Sequence, residues 1–404
     1  TSHWLTKNFL FIWNVIRINW KKPLHMSKCI KDNTNCSGCG VCTSKCPKGA
    51  ITLIADKKGF YRPYVDEKCI DCGLCVKFCH ELKPINANNI KMAFTAYSAN
   101  SAVRAVSSSG GVFTELASVI IGQGGFVCAA GFDHKFHLRH RIVESVDDLD
   151  SLRQSKYLES DISIIWDALK QRVKAGQKGM FVGTPCQCAA LHSFLKKDLE
   201  NIIVCDFICH GVGSPLVFDK YKSYLTGIYG TPKKIEFRHK EHGEGSFFLF
   251  EGNEGKYMIP NYTRSYPYAF ASGQIIADDC TKCRYSTLER YSDITLGDYV
   301  SGVTDYSKST IFVNTEKGSM ILRSCTNVAL QEENLDEVIK RSWHLTTPNT
   351  NNPLRDKVFS ELNLPWEQLE KRYFDPLSRF QLYKNALYNK LKNILKNNAR
   401  DSQA

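Results

Sequence analysis

The spacing of apolar and polar positions along the chain changes near residue 90. Before that point, AITLIADKKGFYRPYVDEK (50–68) predicts two strands joined by a Lys-Gly turn. After it, short apolar runs such as 180–183 and 202–209 are each followed by a polar loop and then by a helical pattern. We therefore predict a fold that is α+β and α/β: a small N-terminal domain, then a larger domain in which strands and helices alternate.

Two of the predicted helices carry start signals in their sequence. Thr184 is a good N-cap, and Pro185 suits the first helical position. Ser214 and Pro215 repeat this arrangement after the next predicted strand. Both segments are therefore expected to run from a buried strand directly into a helix.

The rest of the chain predicts a β-rich insertion and a helical end. Residues 235–240 and 246–259 are typical of β-hairpins, and DITLGDY is typical of a strand that ends at 297–299. Residues 377–397 repeat apolar positions at helical spacing, with Lys on the other faces. This last pattern predicts an amphipathic helix that either packs on its own domain or contacts an anionic surface.

The formal net charge of +12 belongs to the two ends of the chain. Residues 1–28 hold five basic residues and no acid, and residues 371–400 hold eight basic residues against Asp375 alone. No recognised nucleic-acid motif accompanies this charge, so we predict no nucleic-acid partner. No apolar run is long enough to span a bilayer. Residues 1–25 are either a dispensable extension or an interfacial helix, and we predict a cytoplasmic protein with possible peripheral membrane contact.

The 17 cysteines are too many to be core residues alone. Residues 36–46 read Cys-x2-Cys-x2-Cys-x3-Cys, and residues 69–79 repeat this spacing. It is the spacing of bacterial two-cluster ferredoxins, in which the fourth Cys of each run ligates the other cluster. It predicts two [4Fe–4S] clusters with these ligands: Cys36, Cys39, Cys42 and Cys79 for one, and Cys46, Cys69, Cys72 and Cys75 for the other.

Zinc sites and disulfides are the alternatives for these eight cysteines. Zinc sites prefer separated Cys pairs, and disulfide frameworks occur in small secreted chains, so both are disfavoured. One position departs from the repeat, because His80 follows the last ligand where the first run has Pro47. We expect this departure to leave ligation intact.

A third group of cysteines follows the predicted strands. Cys186 and Cys209 lie just beyond the carboxyl ends of two strands, at the edge where open α/β sheets bind ligands. Cys280 and Cys283 form another spaced pair. Spacing alone does not decide between two interpretations of these cysteines. One is a third cluster, and the other is a redox nucleophile at Cys186 with a dithiol or half a zinc site at Cys280 and Cys283. The isolated cysteines are predicted to be ordinary thiols: Cys29, Cys128 and Cys325.

Several short segments together resemble one known family. The doubled cysteine run, SSSGGVFTELA, QSKYLES, GTPCQ, ICHGVGSP, CTKC and DITLGDY are similar to the family of coenzyme F420 hydrogenase/dehydrogenase beta subunits. The resemblance covers roughly residues 30–345. It implies a ferredoxin-like domain, a flavin-binding and iron–sulfur domain with the β-rich insertion, and a helical basic tail. The domains would be 29–90, 91–345 and 346–404, after the extension 1–28.

Carried over onto this sequence, the resemblance implies an FAD site. One loop would hold the flavin phosphates through Ser107, Ser108, Ser109, Gly110 and Gly111. A second segment would contact the flavin through Ser155, Lys156 and Tyr157. Lys156 would be the cation near the flavin, although a solvated surface Lys is the alternative. GDYVSG at 297–302 departs from the family pattern near this site.

The resemblance also implies a third [4Fe–4S] cluster. Its ligands would be Cys186, Cys209, Cys280 and Cys283, with Cys188 and Cys205 as substitutes. His210 would hydrogen-bond a cluster sulfur or donate a proton to substrate, and a satisfied polar neighbour is the equal alternative.

The function implied by these features is an FAD- and [4Fe–4S]-dependent oxidoreductase. Electrons would pass from ferredoxin or another donor through the clusters to FAD and on to a small-molecule substrate. One alternative is that coenzyme F420, a deazaflavin, is itself the substrate. Another is an electron-transfer subunit without a substrate site of its own. No Gly-x-Gly-x-x-Gly follows a predicted strand, so an NAD domain is not indicated.

Overall fold

The structure is a computed structural model that describes residues 29–30, 35–83, 85–301, 303–349 and 352–375. The predicted extension 1–28 and the predicted amphipathic helix 377–397 lie outside these residues. Within the described ranges, no helix has the length and apolar character needed to cross a bilayer.

The cysteine-rich part contains a hairpin and two one-turn helices. Its elements are β1 (Ile51–Ala55), β2 (Tyr61–Val65), α1 (Val41–Lys45) and α2 (Leu74–Lys77). Strands β1 and β2 are antiparallel, as the sequence predicts. Each helix begins after a left-handed glycine, Gly40 (φ 67°) or Gly73 (φ 75°). A side chain at either position would strain the backbone, so these glycines allow each cysteine run to turn tightly into its helix.

The larger part of the chain is built on two sheets and one short ladder. In chain order its strands are β3 (Asn88–Asn89), β4 (Met92–Ser98), β5 (Phe126–Phe132), β6 (Leu138–Val143), β7 (Gly179–Val182), β8 (Ile202–Phe207), β9 (Pro232–Glu241), β10 (Glu244–Gly252), β11 (Lys256–Pro260), β12 (Glu289–Arg290), β13 (Ile294–Ser301), β14 (Val303–Val313) and β15 (Val328–Glu333).

Eight of these strands form a mixed sheet in the order β15-β4-β14-β13-β8-β7-β5-β6. The four strands β13, β8, β7 and β5 are parallel, and the pairs at both sides of them are antiparallel. The parallel centre agrees with the predicted alternation of strands and helices. It also brings the carboxyl ends of β7 and β8 to one edge, where Cys186 and Cys209 follow.

The helices of this part are α3 (Ser101–Ala105), α4 (Val112–Gly122), α5 (Trp166–Lys174), α6 (Pro185–Leu195), α7 (Pro215–Tyr229), α8 (Ser265–Ala271), α9 (Glu316–Ser324), α10 (Leu335–Arg341), α11 (Arg355–Ser360) and α12 (Trp366–Leu369). The predicted starts of α6 and α7 are confirmed. Thr184 and Gln187 form a reciprocal capping box, and the Ser214 side chain accepts from the N–H of Val217.

The β-rich insertion is one three-stranded antiparallel sheet, β11-β10-β9, in which the two predicted hairpins share β10. It packs with α7 around a buried aromatic core that includes Phe218, Tyr221, Phe237 and Phe248. Within 352–375 the chain is helical, as predicted, and Trp366 joins the same core against Tyr221 at a ring distance of 4.6 Å.

Two strand ends differ from the sequence prediction. Strand β8 ends at Phe207, before the predicted end at Cys209, because the chain turns at Gly211 (φ 119°) and the Gly211 N–H donates to Cys209 Sγ. Strand β13 continues to Ser301 instead of ending at residue 299. A register shift after Asp298 lets it stay paired with β14.

Candidate functional site

The inner cysteine set consists of Cys36, Cys39, Cys42 and Cys79, which the structure brings together as the spacing predicts. Burial raises the pKa of Cys36 to about 11 and of Cys42 to about 12, and it raises the pKa of Cys39 and Cys79 too. The thiolate charge of Cys79 adds to the rise in pKa at the other three. These thiols therefore lie within electrostatic range of one another.

The outer cysteine set consists of Cys46, Cys69, Cys72 and Cys75, which line one small cavity. Cys72 is exposed, and the Ala50 N–H donates to Cys46 Sγ at 3.3 Å. Cys29, which the sequence treats as an ordinary thiol, lines the same cavity with its Sγ 3.6 Å from Cys69 Sγ. The outer set thus has a fifth thiol beside it.

We expect Cys29 to replace Cys69 as a ligand when Cys69 is lost. The Cys69→Ser variant should keep its iron, because a second thiolate lies within reach of the same cluster position. The Cys29→Ser/Cys69→Ser double variant should lose about four irons per chain. Iron and sulfide analysis of anaerobically reconstituted protein measures this. Equal iron loss in Cys69→Ser and Cys72→Ser would show that Cys29 does not substitute.

The C-terminal cysteine set consists of Cys186, Cys209, Cys280 and Cys283. All four line one cavity of about 450 Å³. Cys186 lies in the first turn of α6, Cys209 follows β8, and Cys280 lies in a 3₁₀ turn over Asp279–Lys282. Four thiols from three separate segments of the chain therefore line one cavity, and their role as cluster ligands stays a prediction.

The proposed substitutes do not line this cavity. Cys188 is buried, and its Sγ lies 3.8 Å from the Gly183 carbonyl and 3.6 Å from the Cys205 carbonyl. The Cys205 Sγ approaches the Asp206 carbonyl at 3.7 Å. All three contacts are ordinary for buried thiols.

The chemistry of the C-terminal cysteine set fits a group with a cationic core. Burial raises the pKa of Cys186, Cys209 and Cys280, and neighbouring thiolates add to the rise. Such thiols become ligands only when a bound cation offsets their charge. No three Cys, His, Asp or Glu side chains in the described part of the chain converge closely enough for a single ion.

Arginines from several elements line the same cavity: Arg62, Arg284, Arg290 and Arg355. Arg290 is 2% exposed and pairs with the fully buried Asp206 at 2.7 Å. Its charge opposes the rise in the pKa of Cys209, and that of Arg62 opposes the rise in the pKa of Cys36. A [4Fe–4S] core with four thiolates carries a net charge of about −2, so these cations would stabilise it.

The cysteine-rich part docks on the larger part through the inner cysteine set. Trp166 Nε1 donates to the Cys39 carbonyl at 2.8 Å, and Ser193 Oγ donates to the Phe78 carbonyl at 2.7 Å. Arg62 on β2 bridges Glu159 at 3.1 Å and Asp279 at 3.2 Å. Ser37 beside the inner cysteine set and Arg62 line the cavity of the C-terminal cysteine set, whereas the outer set lines a separate cavity and includes the exposed Cys72.

The two segments implied for the flavin also meet in the structure. The Ser155 N–H donates to Ser108 Oγ at 2.7 Å. Ser107 Oγ donates to the Val103 carbonyl at 2.7 Å, and Ser109 Oγ donates to the Lys308 carbonyl.

Two glycines complete this loop. A Cβ at Gly110 would lie 2.6 Å from the Ala96 carbonyl, so the loop can pack here only without a side chain. Gly111 (φ 84°) precedes α4, as the predicted polar loop before a helix requires.

Lys156 and Tyr157 are held by protein groups. Lys156 Nζ donates to the Ala130, Leu152 and Arg153 carbonyls at 2.6–3.0 Å, and burial lowers its pKa to about 7. Tyr157 stacks on Phe270 at 4.5 Å. These hydrogen bonds hold the turn around Lys156 against β5. The assignment of Lys156 as the cation near a flavin stays a prediction.

Sequence reasoning missed two buried cations beside this loop. Lys240 is 6% exposed and donates to the carbonyls of Arg104 and Ser109 at 2.9 Å. Arg238 is 4% exposed and pairs with Asp298 at 2.8 Å. Among the described residues, its Nε and Nη2 find no hydrogen-bond partner. Both lie on β9 two residues apart, and this cationic spacing in IEFRHK was the available signal.

His210 connects the two candidate cofactor regions. Its ring nitrogens contact His344 Nε2 at 2.8 Å and the Ala271 carbonyl at 2.9 Å. The ring lies 5.3 Å from Phe270, on which Tyr157 stacks. These partners satisfy the imidazole, and its predicted role toward a cluster or substrate stays a prediction.

Comparison with known families identifies the class of this protein. Residues 35–83 match the family model described as a 4Fe-4S dicluster domain, which confirms the predicted iron–sulfur character of the cysteine-rich part. Residues 176–338 match the model for the C terminus of the beta subunit in coenzyme F420 hydrogenase/dehydrogenase. The chain thus matches a 4Fe–4S dicluster model and, over a separate range, the model for the C terminus of the coenzyme F420 hydrogenase/dehydrogenase beta subunit, and the resemblance is confirmed.

Individual relatives agree with both matches. The coenzyme F420-dependent sulfite reductase of Methanocaldococcus jannaschii is 28% identical over 77% of this chain and 49% of its own length. A subunit of the F(420)H(2) dehydrogenase of Methanosarcina mazei is 24% identical over 42% of this chain and 51% of its own length. An uncharacterized ferredoxin of M. jannaschii is 40% identical over 16% of this chain and 77% of its own length. The chain spans about half the length of the first two relatives.

Proposed function

We propose that this chain is an FAD- and [4Fe–4S]-dependent oxidoreductase that exchanges electrons between an external donor and a small organic substrate. The observation that carries the proposal is the C-terminal cysteine set, whose four thiols share one cavity. The family match places the chain among iron–sulfur redox proteins. We propose a third [4Fe–4S] cluster in this set, beside the two of the dicluster domain.

The support for FAD comes from the loop at 107–111. The Ser155 N–H donates to Ser108 Oγ, and Lys240 donates to the Ser109 carbonyl. A polar loop, the start of a helix and a buried cation therefore lie next to one another. Arg238 adds two buried N–H groups without a protein partner in the described residues. Buried N–H groups of this kind cost free energy unless a ligand accepts from them. Phosphate oxygens of a flavin nucleotide are suitable acceptors.

The proposed cofactor sites are close enough to act together. Tyr157, beside the flavin loop, stacks on Phe270, and the Phe270 ring contacts His210, the residue after Cys209. Bound clusters supply one-electron chemistry and a flavin supplies both one- and two-electron chemistry. The residues of this chain bind these groups, exclude water and offset their charge.

The Arg238→Met variant tests the flavin site. We expect at least a tenfold weaker affinity for FAD, because a charge-assisted hydrogen bond contributes about 1.5–3 kcal/mol. Iron content should be unchanged. FAD released from reconstituted protein and quantified by fluorescence measures the effect. Lys234→Met on the same strand is the matched control, because the Lys234 side chain is exposed and pairs with Glu236 instead of the flavin loop. Wild-type protein that binds no FAD would overturn the flavoenzyme proposal.

A second candidate substrate is coenzyme F420 itself. The names of two relatives, an F(420)H(2) dehydrogenase and a coenzyme F420-dependent sulfite reductase, favour it. Anaerobic titration of the reconstituted chain with reduced F420 would then bleach the cluster absorbance. An unchanged cluster spectrum would exclude F420 as an electron donor.

An electron-transfer subunit is a third candidate, because one relative is itself a subunit of an F(420)H(2) dehydrogenase. It predicts clusters that can be reduced by dithionite, but no turnover with any organic substrate by the isolated chain. Turnover by the isolated chain would rule it out.

A further inference from the structure

His80 occupies the one position where the second cysteine run departs from the first. It follows Cys79, at the place where Pro47 follows Cys46. Its side chain is 1% exposed. A buried polar side chain needs hydrogen-bond partners, so the partners of His80 indicate why a histidine stands here.

Those partners come from both parts of the chain. One ring nitrogen contacts Ser37 Oγ at 3.1 Å, and the other contacts the hydroxyl of Tyr285. Ser37 follows Cys36 of the inner cysteine set, and Tyr285 lies two residues after Cys283 of the C-terminal cysteine set. The imidazole therefore spans from one ligand loop to the other.

Further side chains hold this bridge in place. Glu81 lies 3.6 Å from the imidazole, and it contacts both Ser37 and Tyr285. Arg284 donates to the Glu81 carbonyl at 3.1 Å. The Tyr285 backbone is fixed in turn, because Arg290 donates to its carbonyl. Such a network has few alternative arrangements, so it sets the position of one loop relative to the other.

The Tyr285 side chain lines the cavity of the C-terminal cysteine set. It is 5% exposed and belongs to a buried core against which Cys39 of the inner set packs. Cys186 and Cys283 of the C-terminal set pack on the same core. The charge of Cys186 also acts on the Tyr285 hydroxyl. The Tyr285 side chain thus belongs to a core that both sets contact, and its hydroxyl is bonded to His80.

We propose that His80 and Tyr285 are positioning residues that hold the inner and C-terminal cysteine sets in register for direct electron exchange. The proposal rests on the proposed function, since it requires a cluster in each set. In the exchange one electron leaves one cluster, which is oxidised, and enters the other, which is reduced. No bond is broken and no proton is moved.

The test uses the reconstituted full chain and three variants. Tyr285→Phe removes only the hydroxyl and keeps the ring in the core. His80→Leu removes both hydrogen bonds, and His80→Gln restores a donor and an acceptor. Tyr291→Phe is the matched control, because Tyr291 belongs to the same core and packs edge-on against Tyr285, but its hydroxyl contacts the Ile85 carbonyl.

The readout is rapid freeze-quench EPR after addition of one electron equivalent of dithionite per chain. The Cys283→Ser variant supplies the reference spectrum without the C-terminal set. We expect electron exchange between the sets to slow several-fold in Tyr285→Phe and His80→Leu, because electron transfer weakens as the separation of the two centres grows. His80→Gln should recover part of the rate. Tyr291→Phe should match the wild type, and iron content should be unchanged throughout.

Two results would overturn the inference alone: an unchanged exchange rate in Tyr285→Phe, or an equal slowing in Tyr285→Phe and Tyr291→Phe. The failure of the proposed function looks different. If the wild-type protein holds about eight irons per chain instead of about twelve, the C-terminal cluster itself is absent.

Discussion

Replacing Cys283 with Ser is expected to lower the iron content of the reconstituted chain from about twelve to about eight atoms. Cys283 lines the same cavity as Cys186, Cys209 and Cys280, so its loss leaves three thiolates around a group that needs four. A neutral hydroxyl is a poor substitute for a thiolate ligand. Iron and sulfide analysis of anaerobically reconstituted protein measures the loss, and EPR identifies the missing cluster signal.

Cys188→Ser is the matched control for this experiment. Cys188 lies two residues from Cys186 on α6, but its thiol contacts backbone carbonyls and does not line the cavity. The control should therefore keep about twelve irons. Iron loss in Cys188→Ser with none in Cys283→Ser would move the ligand assignment to Cys188. Full iron in both variants would refute a cluster at this place.

The two N-terminal cysteine sets were predictable because their ligands are local in sequence. Each run places three thiols within seven residues, and left-handed Gly40 and Gly73 make the tight turns possible. Only the fourth ligand of each set comes from the other run, and the known ferredoxin spacing supplies that exchange. The local spacing of the cysteines is therefore nearly sufficient to predict these two sets.

The C-terminal cysteine set could not be predicted from local spacing, because its members come together only in the tertiary fold. Cys186, Cys209 and the Cys280/Cys283 pair are separated by 23 and 71 residues, and no local rule joins them. The strand-to-helix signals at Thr184 and Ser214 placed the first two at one sheet edge. The structure shows β7 and β8 parallel and adjacent, which is the reason those two positions meet.

The spacing of Arg238 and Lys240 is visible in the sequence, but the burial and the partners of such polar residues cannot be predicted from it. Arg238 and Lys240 lie in a segment that is typical of an ordinary hairpin, but both are buried, Lys240 against the Ser109 carbonyl and Arg238 against Asp298. His80 was noticed as a departure from the repeat, but its partner Tyr285 lies 205 residues away. Pairing over such separations depends on tertiary structure, which hydrophobic periodicity does not encode.

The Asp206→Ala substitution is expected to destabilise the protein by about 3–5 kcal/mol, the cost of leaving one partner of a buried ion pair alone. Asp206 is fully buried on β8 and pairs with Arg290 at 2.7 Å, and the Arg290 side chain is 2% exposed. With the carboxylate removed, the guanidinium stays buried beside the C-terminal cysteine set. The midpoint of thermal unfolding should fall by about 5 °C, measured by circular dichroism under anaerobic conditions.

Two further variants separate the cost of a stranded charge from the value of the pair. Asp219→Ala removes a partly exposed carboxylate that pairs with Lys222, and it should cost at most about 1 kcal/mol. The Asp206→Leu/Arg290→Met double variant removes both charges and should be more stable than Asp206→Ala, because no unpaired ion remains. The double variant should nevertheless bind the C-terminal cluster less well, since the charge of Arg290 also favours the Cys209 thiolate. If the double variant regains stability but binds the cluster less well, the role of this ion pair is to place the charge of Arg290 beside the C-terminal cysteine set. If the double variant is as unstable as Asp206→Ala, the pair serves the packing of β8 and β12 instead.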